Sequence, residues 1–330
     1  MIQAKVVALC PFHNRSAVVE RTLRSLAAQT YEDFIAIVWD DASSDSTWNE
    51  LQRVAKLLSD PRIMVLREEQ NIGMTAGFKK YSDLADSVYV AIVGSGDECF
   101  PSRLAEQVAA LDEDWGASFV ATATETIDEV TGNSFRDETH RKRYVDNGDL
   151  TRAVPFTHGS VMYRAENLKG VGGYDTRYKW CSDWDLFHRL LKASRGIYLN
   201  KVLYRRYARL DGVSYNPEKS LEQIRYKYLV ALVDSSPESE RDAILSAAAK
   251  DLKKVVSVFE REIARDLSRR RVKLHFMGRH RQADDLGRII KTEYHSAFSD
   301  EVQALMARVL GSFGLAPDRL ITAARSFASK

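Results

Sequence analysis

Val38 to Thr47 reads VWDDASSDST, an apolar strand that runs into two carboxylates, Asp40 and Asp41, and then into a Ser/Asp-rich turn opening a helix. In open α/β sheets ligands bind beyond the carboxyl ends of the strands, and paired acids there suit a base edge, a ribose or a metal. Asp and Ser in this place also make ordinary helix caps, so the neighbouring stretches decide. Upstream, KVVALC from Lys5 to Cys10 is a short β-rich run closed by Pro11. PFHNRSAVVERTLRSLAAQTYEDF continues as a capped amphipathic helix and a turn, with Leu23, Leu26 and Ala27 on one face. Downstream, NIGMTAGFKKYSDLADSVYVAIV from Asn71 to Val93 supplies a loop, a helix and a further strand.

These pieces resemble the opening of a family 2 glycosyltransferase of the GT-A fold, whose pattern runs PTYNR, SLLxQTY, then a strand ending VDDGSxDxT. Pro11, Asn14, Arg15, Ser25, Leu26, Gln29, Thr30, Tyr31, Asp40, Asp41, Ser43, Asp45 and Thr47 stand where that pattern wants them. HGSVMYRAENLKGVGGYDTRYKWCSDWDLFHRLLKAS resembles the family's HGSVMFR, GGYD and EDxDLxxRL segment in order and spacing, and YRRYARLDGVS, from Tyr204 to Ser214, its closing loop. The resemblance covers roughly residues 4 to 215. It implies an α/β, Rossmann-like nucleotide-diphospho-sugar transferase fold, a mixed sheet flanked by helices, in residues 1–217, with a helical C-terminal region in 218–330.

With 330 residues, 45% of them hydrophobic and 28% charged, the chain has the composition of a globular protein able to bury a sizeable core. A net charge of +2 argues against a general nucleic-acid coat. Cys10, Cys99 and Cys181 are odd in number and lack metal spacing, so a disulfide framework is not expected and a reduced compartment fits. The first residues lack a signal-peptide pattern and no segment has the ~20 apolar residues needed to span a bilayer. The expectation is therefore a cytoplasmic protein.

A glycosyltransferase holds a nucleotide, neutralises a departing diphosphate and removes a proton from the acceptor hydroxyl. The resemblance assigns the nucleotide to Pro11, Phe12, His13, Asn14, Arg15, Asp40, Asp41, Asn71, Gly73, Ser95 and Asp97. Within that set Asp41 would read the base edge, Phe12 would give the pocket an apolar wall, and His13 replaces the family's usual Tyr. Asp183 is the expected base, in a single in-line displacement with inversion through an oxocarbenium-like transition state. Ser182 takes the place of the motif's Glu, and Ser182 with Asp185 also reads as a capping box. His158 and Trp180 flank the acceptor side, where an aromatic face stacks on a sugar.

The departure lies at the diphosphate. Family members carry DxDD after the fourth strand, whereas YVAIV here runs into GSGDE, with Gly94 and Gly96 at two acid positions. Three readings stay open: Asp97 holds Mn²⁺ or Mg²⁺ with the donor's own phosphates, which is preferred; Lys179, Arg205, Arg206 or Arg209 replaces the metal; or the protein is a catalytically inactive sugar-nucleotide-binding or scaffold protein. A nicotinamide oxidoreductase is disfavoured, because no GxGxxG follows the first strand.

Beyond Ser220 the sequence becomes helix-like. Ser236 and Pro237 suit a helix start, and Leu245, Ala248, Leu252, Val255, Phe259 and Ile263 form the stripe of one long helix, able to pack on the catalytic domain or on a partner, including a second copy. RRRVKLHFMGRHR, Arg269 to Arg281, reads as a solvated face or as a peripheral contact with an anionic membrane. The expected partners are a nucleotide-sugar donor and a glycan or lipid-linked acceptor, with no nucleic acid.

Overall fold

A computed structural model describes residues 2–137, 143–150, 154–209 and 215–294. The chain divides after Ala208 into two units, Met1–Ala208 and Arg209–Lys330. Residues 210–214 of the expected closing loop and 295–330 of the tail lie outside the described residues.

The first unit contains strands β1 (Ile2–Gln3), β2 (Val6–Phe12), β3 (Phe34–Asp40), β4 (Ile63–Arg67), β5 (Ala85–Asp86), β6 (Tyr89–Ile92), β7 (Glu98–Cys99), β8 (Ala117–Asp128), β9 (Ser134–Asp137), β10 (Tyr144–Val145), β11 (Met162–Arg164) and β12 (Arg195–Ala208). Its helices are α1 (Val19–Ala27), α2 (Thr47–Leu58), α3 (Met74–Leu84), α4 (Arg103–Glu113), α5 (Ala165–Gly170) and α6 (Ser182–Leu191). The main sheet runs β10-β12-β8-β11-β6-β2-β3-β4, with β7 beside β12 and β9 beside β8. β2, β3, β4 and β6 are mutually parallel. β11 is antiparallel to both β6 and β8, and β12 is parallel to β8. The carboxyl ends of β2, β3, β6, β8 and β12 therefore meet at one edge, and the strand order reverses beside β2, where α/β sheets bind ligands.

The parallel strands are nearly continuous apolar runs because both faces are covered. Val6, Ala8, Cys10 and Phe12 pack with Val19, Leu23 and Leu26 of α1, Leu51 and Val54 of α2, and Leu104, Val108 and Leu111 of α4. Val7, Leu9, Ile37 and Trp39 face the other way, onto Phe78 of α3, Leu168 of α5, and Leu186, Phe187 and Leu190 of α6. Alternation along each strand thus builds two cores from one sheet.

The second unit contains α7 (Pro217–Ser235), α8 (Arg241–Lys250), α9 (Leu252–Val255), α10 (Glu260–Phe276) and α11 (His280–Tyr294). Asn216 caps α7 by accepting from Lys219 N at 2.9 Å. The expected single long helix is interrupted. Asp251, extended at φ −151° and ψ 86°, accepts from the Lys254 amide at 3.0 Å and starts a new short helix. Ser236 closes α7 instead of opening a helix, and Pro237 precedes a 3₁₀ turn at Glu238–Glu240. The basic run is divided by the turn between α10 and α11. Leu274 and His275 are buried, Arg270 donates to Gln223 at 3.1 Å, and the Arg271 guanidinium leaves no room for a Cβ at Gly287. No helix of the described residues is long and apolar enough to cross a membrane.

Candidate active site

The VWDDASSDST turn is held by its own polar groups. Asp40 ends β3 with no exposed surface; its Oδ1 accepts from Ser43 N at 3.2 Å and its Oδ2 lies 3.2 Å from Arg67 Nε. That position is interior, so Asp40 anchors the turn and does not itself face the cleft as expected for a nucleotide ligand. Asp41 receives the Ile72 amide on one oxygen at 2.8 Å and the Gly73 amide on the other at 2.9 Å. The NIG loop is thereby tied to the end of β3. A carboxylate offers about four lone-pair sites, so two stay available.

The PFHN segment closes the opposite side. His13 Nδ1 lies 2.8 Å from the Asp41 carbonyl oxygen, and Asn71 Nδ2 donates to the same oxygen at 3.3 Å. Asn14, at φ 52°, accepts on Oδ1 from Ser44 N at 2.9 Å and Asp45 N at 3.3 Å. Arg15 N donates to Thr47 Oγ1 at 2.7 Å. Although burial would raise the Asp45 carboxyl, hydrogen bonds from Thr47 and Ser16 hold it below the usual range. Phe12 is wholly buried among Val6, Ala8 and Cys10 and gives no wall to the pocket, because the strand's alternation turns it into the core. An open depression of about 620 Å³ lies beside the turn, lined by Ala42, Ser43, Arg67, Glu68 and Glu69.

At the end of β6 the chain turns back on itself. Asp97 is partly buried, and both of its carboxylate oxygens meet protein donors. Oδ2 accepts from Tyr204 Oη at 2.7 Å and Oδ1 from Tyr207 N at 3.0 Å. Burial pushes its pKa up to about 6, against those hydrogen bonds and the charges of Arg206 and Arg21. The glycines make this possible. A Cβ on Gly94 would meet Asp97 Oδ2 at 2.5 Å, and Gly96 has φ +88° with Val18 Cγ2 3.0 Å from where a Cβ would stand. Ser95 lies between them, partly exposed. The next acid is also engaged: Glu98 Oε2 takes Tyr207 Oη at 2.5 Å and Arg205 Nη1 at 3.2 Å. Arg205 further donates to Glu125 at 2.8 Å and so is already neutralised. Tyr204 and Tyr207 were not singled out in the sequence; the YRRYA alternation at the end of a strand is the signal that places them on opposite faces.

Asp183 lies in the first turn of α6, partly exposed. No hydrogen bond holds its carboxylate among the described residues. The capping box is not formed. Cys181 is the N-cap at φ 60° without a side-chain cap, Ser182 Oγ meets Thr75 Oγ1 at 3.1 Å, and Asp185 instead binds Arg189 at 2.7 Å. Arg189 also reaches the Gly173 carbonyl at 2.8 Å, which fixes the GGYD loop to α6. His158 Nε2 lies 2.8 Å from Tyr174 Oη, with the ring edge-on to Phe78. Burial keeps the imidazole pKa low, with the Asp183 charge opposing. His158 is therefore a neutral ring in an aromatic cluster near Asp183. Trp180 is partly buried, and Arg209 belongs to the second unit.

Residues 8–171 match the model described as Glycosyl transferase family 2. Through this unit the chain belongs to glycosyl transferase family 2. Among similar proteins, the putative glycosyltransferase EpsE of Bacillus subtilis is 28% identical over 204 residues, 61% of this chain and 72% of that protein. A PGL/p-HBAD biosynthesis glycosyltransferase of Mycobacterium bovis is 26% identical over 63% of this chain and 75% of its own. S. aureus TarS 1-349 in complex with UDP covers 95% of this chain and 93% of its own at TM-score 0.55 and 18% identity. The mannosyltransferase PcManGT of Pyrobaculum calidifontis, in complex with GDP-Man and Mn²⁺, covers 94% and 87% at TM-score 0.55 and 17% identity. These likenesses establish the GT-A fold.

The expected divalent cation does not fit the residues present. Gly94 and Gly96 bring no side-chain ligand, each Asp97 oxygen is already engaged by a protein donor, and no group of three or more His, Cys, Asp or Glu suited to a metal occurs among the described residues.

Proposed function

We propose that this family 2 chain transfers a sugar from a nucleoside diphosphate donor to a hydroxyl of a glycan or lipid-linked acceptor. The observation that carries the reading is the Asp183 carboxylate, left without a protein hydrogen bond in the first turn of α6 while Asp185 beside it is consumed by Arg189. With no protein partner, this carboxylate is available to take a proton. The nucleotide would lie along the carboxyl ends of β2 and β3, with the base edge toward Asp41 and the Asn71–Gly73 loop. Attack by the deprotonated hydroxyl on the anomeric carbon, with diphosphate leaving from the opposite face, gives inversion. The family match ends at residue 171, so the role of Asp183 rests on its place in the SDWD helix and on this geometry.

The inactive-binder reading has one observation in its favour, the loss of two acids at GSGD. The test separates the two: a panel of nucleotide sugars scored for nucleoside diphosphate release and for thermal stabilisation. Release with stabilisation supports transfer. Stabilisation without release by any donor, with acceptor glycans present, supports the binder. Neither would refute both.

A further inference from the structure

A leaving diphosphate has to meet positive charge, and the turn after β6 offers no carboxylate free of protein partners with which to recruit a metal. Asp97 and Glu98 are its only carboxylates. The first is latched to Tyr204 Oη and Tyr207 N; the second is taken by Tyr207 Oη and Arg205. An acid at position 94 could not coexist with that latch, because its Cβ would lie 2.5 Å from Asp97 Oδ2.

The nearby cations divide sharply. Arg205 is spent on Glu125 and Glu98. Arg21 binds the Gly96 carbonyl at 2.6 Å and Glu129 at 2.8 Å, and stacks 3.5 Å from the centre of the Tyr207 ring. Arg103 is wholly buried beneath the turn and donates to the Ile92 carbonyl at 2.9 Å. Arg206 differs from all three. Its Nε is shielded from solvent without an acceptor, and no ion pair reaches it among the described residues. It alternates onto the same face of β12 as Tyr204, and its charge acts on the Asp97 carboxylate. Because β12 is parallel to β8, and β8 and β6 are both antiparallel to β11, Arg206 stands at the same sheet edge as the GSGDE turn. A guanidinium carries five donors, and leaving the buried Nε unanswered is costly unless an acceptor arrives. Its planar fork matches two phosphate oxygens at once.

We infer that this protein neutralises the donor's diphosphate with the Arg206 guanidinium in place of a divalent cation, Asp97 having become the latch that fixes the turn against β12. This rests on the nucleotide-sugar reading above and deepens it. In binding, the guanidinium donates to oxygens of the two phosphates; no bond is made or broken and no co-reactant is needed.

The test is calorimetric titration of the full chain with UDP, GDP and dTDP, and with the corresponding monophosphate of whichever binds, each in EDTA and in Mn²⁺. The expected result is a diphosphate affinity in EDTA within threefold of that in Mn²⁺. Arg206→Gln then weakens the diphosphate at least tenfold and the monophosphate much less, and Arg206→Lys recovers part of the loss. Circular dichroism and melting of each variant establish that it is folded. Diphosphate binding that appears only with Mn²⁺, or an unchanged affinity in folded Arg206→Gln, would overturn the inference while leaving the nucleotide reading intact. No binding of any diphosphate in either condition would overturn both.

Discussion

Asp97→Asn isolates the latch on which the altered turn depends. The carboxyl is driven from its usual 3.8 up to about 6, chiefly by burial, with Tyr204 Oη, Tyr207 N and the Arg206 and Arg21 charges pulling the other way. The folded protein therefore holds this proton more tightly than the unfolded chain does. Its contribution to stability is complete below about pH 4 and is lost as pH rises through about 6. At about 1.4 kcal/mol per pH unit, that interval corresponds to about 3 kcal/mol. Asn keeps the shape and one acceptor but does not titrate. Replacing Asp97 thus adds a constant offset for the lost acceptor and removes the pH-dependent part. Urea unfolding of parent and variant from pH 4 to pH 7 should show their difference moving by about 3 kcal/mol in the variant's favour as pH rises. Parallel stability curves would refute the burial argument.

Three further outcomes follow from single contacts. Gly94→Ala should lower unfolding free energy by about 1–3 kcal/mol, the usual range for overpacking, because its Cβ meets Asp97 Oδ2 at 2.5 Å; an unchanged melting temperature would show that the latch yields freely. Asp41→Ala should lose about 2–4 kcal/mol of stability in denaturant titration, since the Ile72 and Gly73 amides both lose a charged acceptor. Weakened nucleotide binding with unchanged stability would mean that Asp41 serves the ligand alone. Asp185→Ala should cost about 3 kcal/mol by leaving Arg189 without its carboxylate, whereas a value below about 1 kcal/mol would show that the Val171 and Gly173 carbonyls suffice for that guanidinium.

The central strands and their loops were legible because parallel strands buried on both faces are unbroken apolar runs, stopped by Asp40 and Asp41 and by Gly94, although β2 runs through Pro11 to Phe12 where the sequence suggests a stop. The site was less so, and for particular reasons. Asp185 matched a capping box by spacing, but a guanidinium at i+4, Arg189, won its carboxylate, while Cys181 took the cap position in a left-handed conformation. The inward turn of Asp97 could not be read locally, because its partners Tyr204 and Tyr207 lie 107 and 110 residues away in sequence. In the second unit the apolar spacing runs on through Asp251, where a side-chain cap breaks the helix that the stripe promised. Phe12 stands in the segment expected to wall the pocket and yet points into the core, since Cys10 and Phe12 share a face of β2.

The central claim is that a carboxylate on α6 deprotonates the acceptor of a nucleotide-sugar transfer. With the donor found by the panel, initial rates of nucleoside diphosphate release would be measured for the parent and for Asp183→Asn, which keeps size and polarity while removing basicity. The account predicts a fall in kcat of ~100-fold or more with donor KM within a few-fold of the parent. An Asp183→Asn protein that retains more than half the parent rate would contradict it.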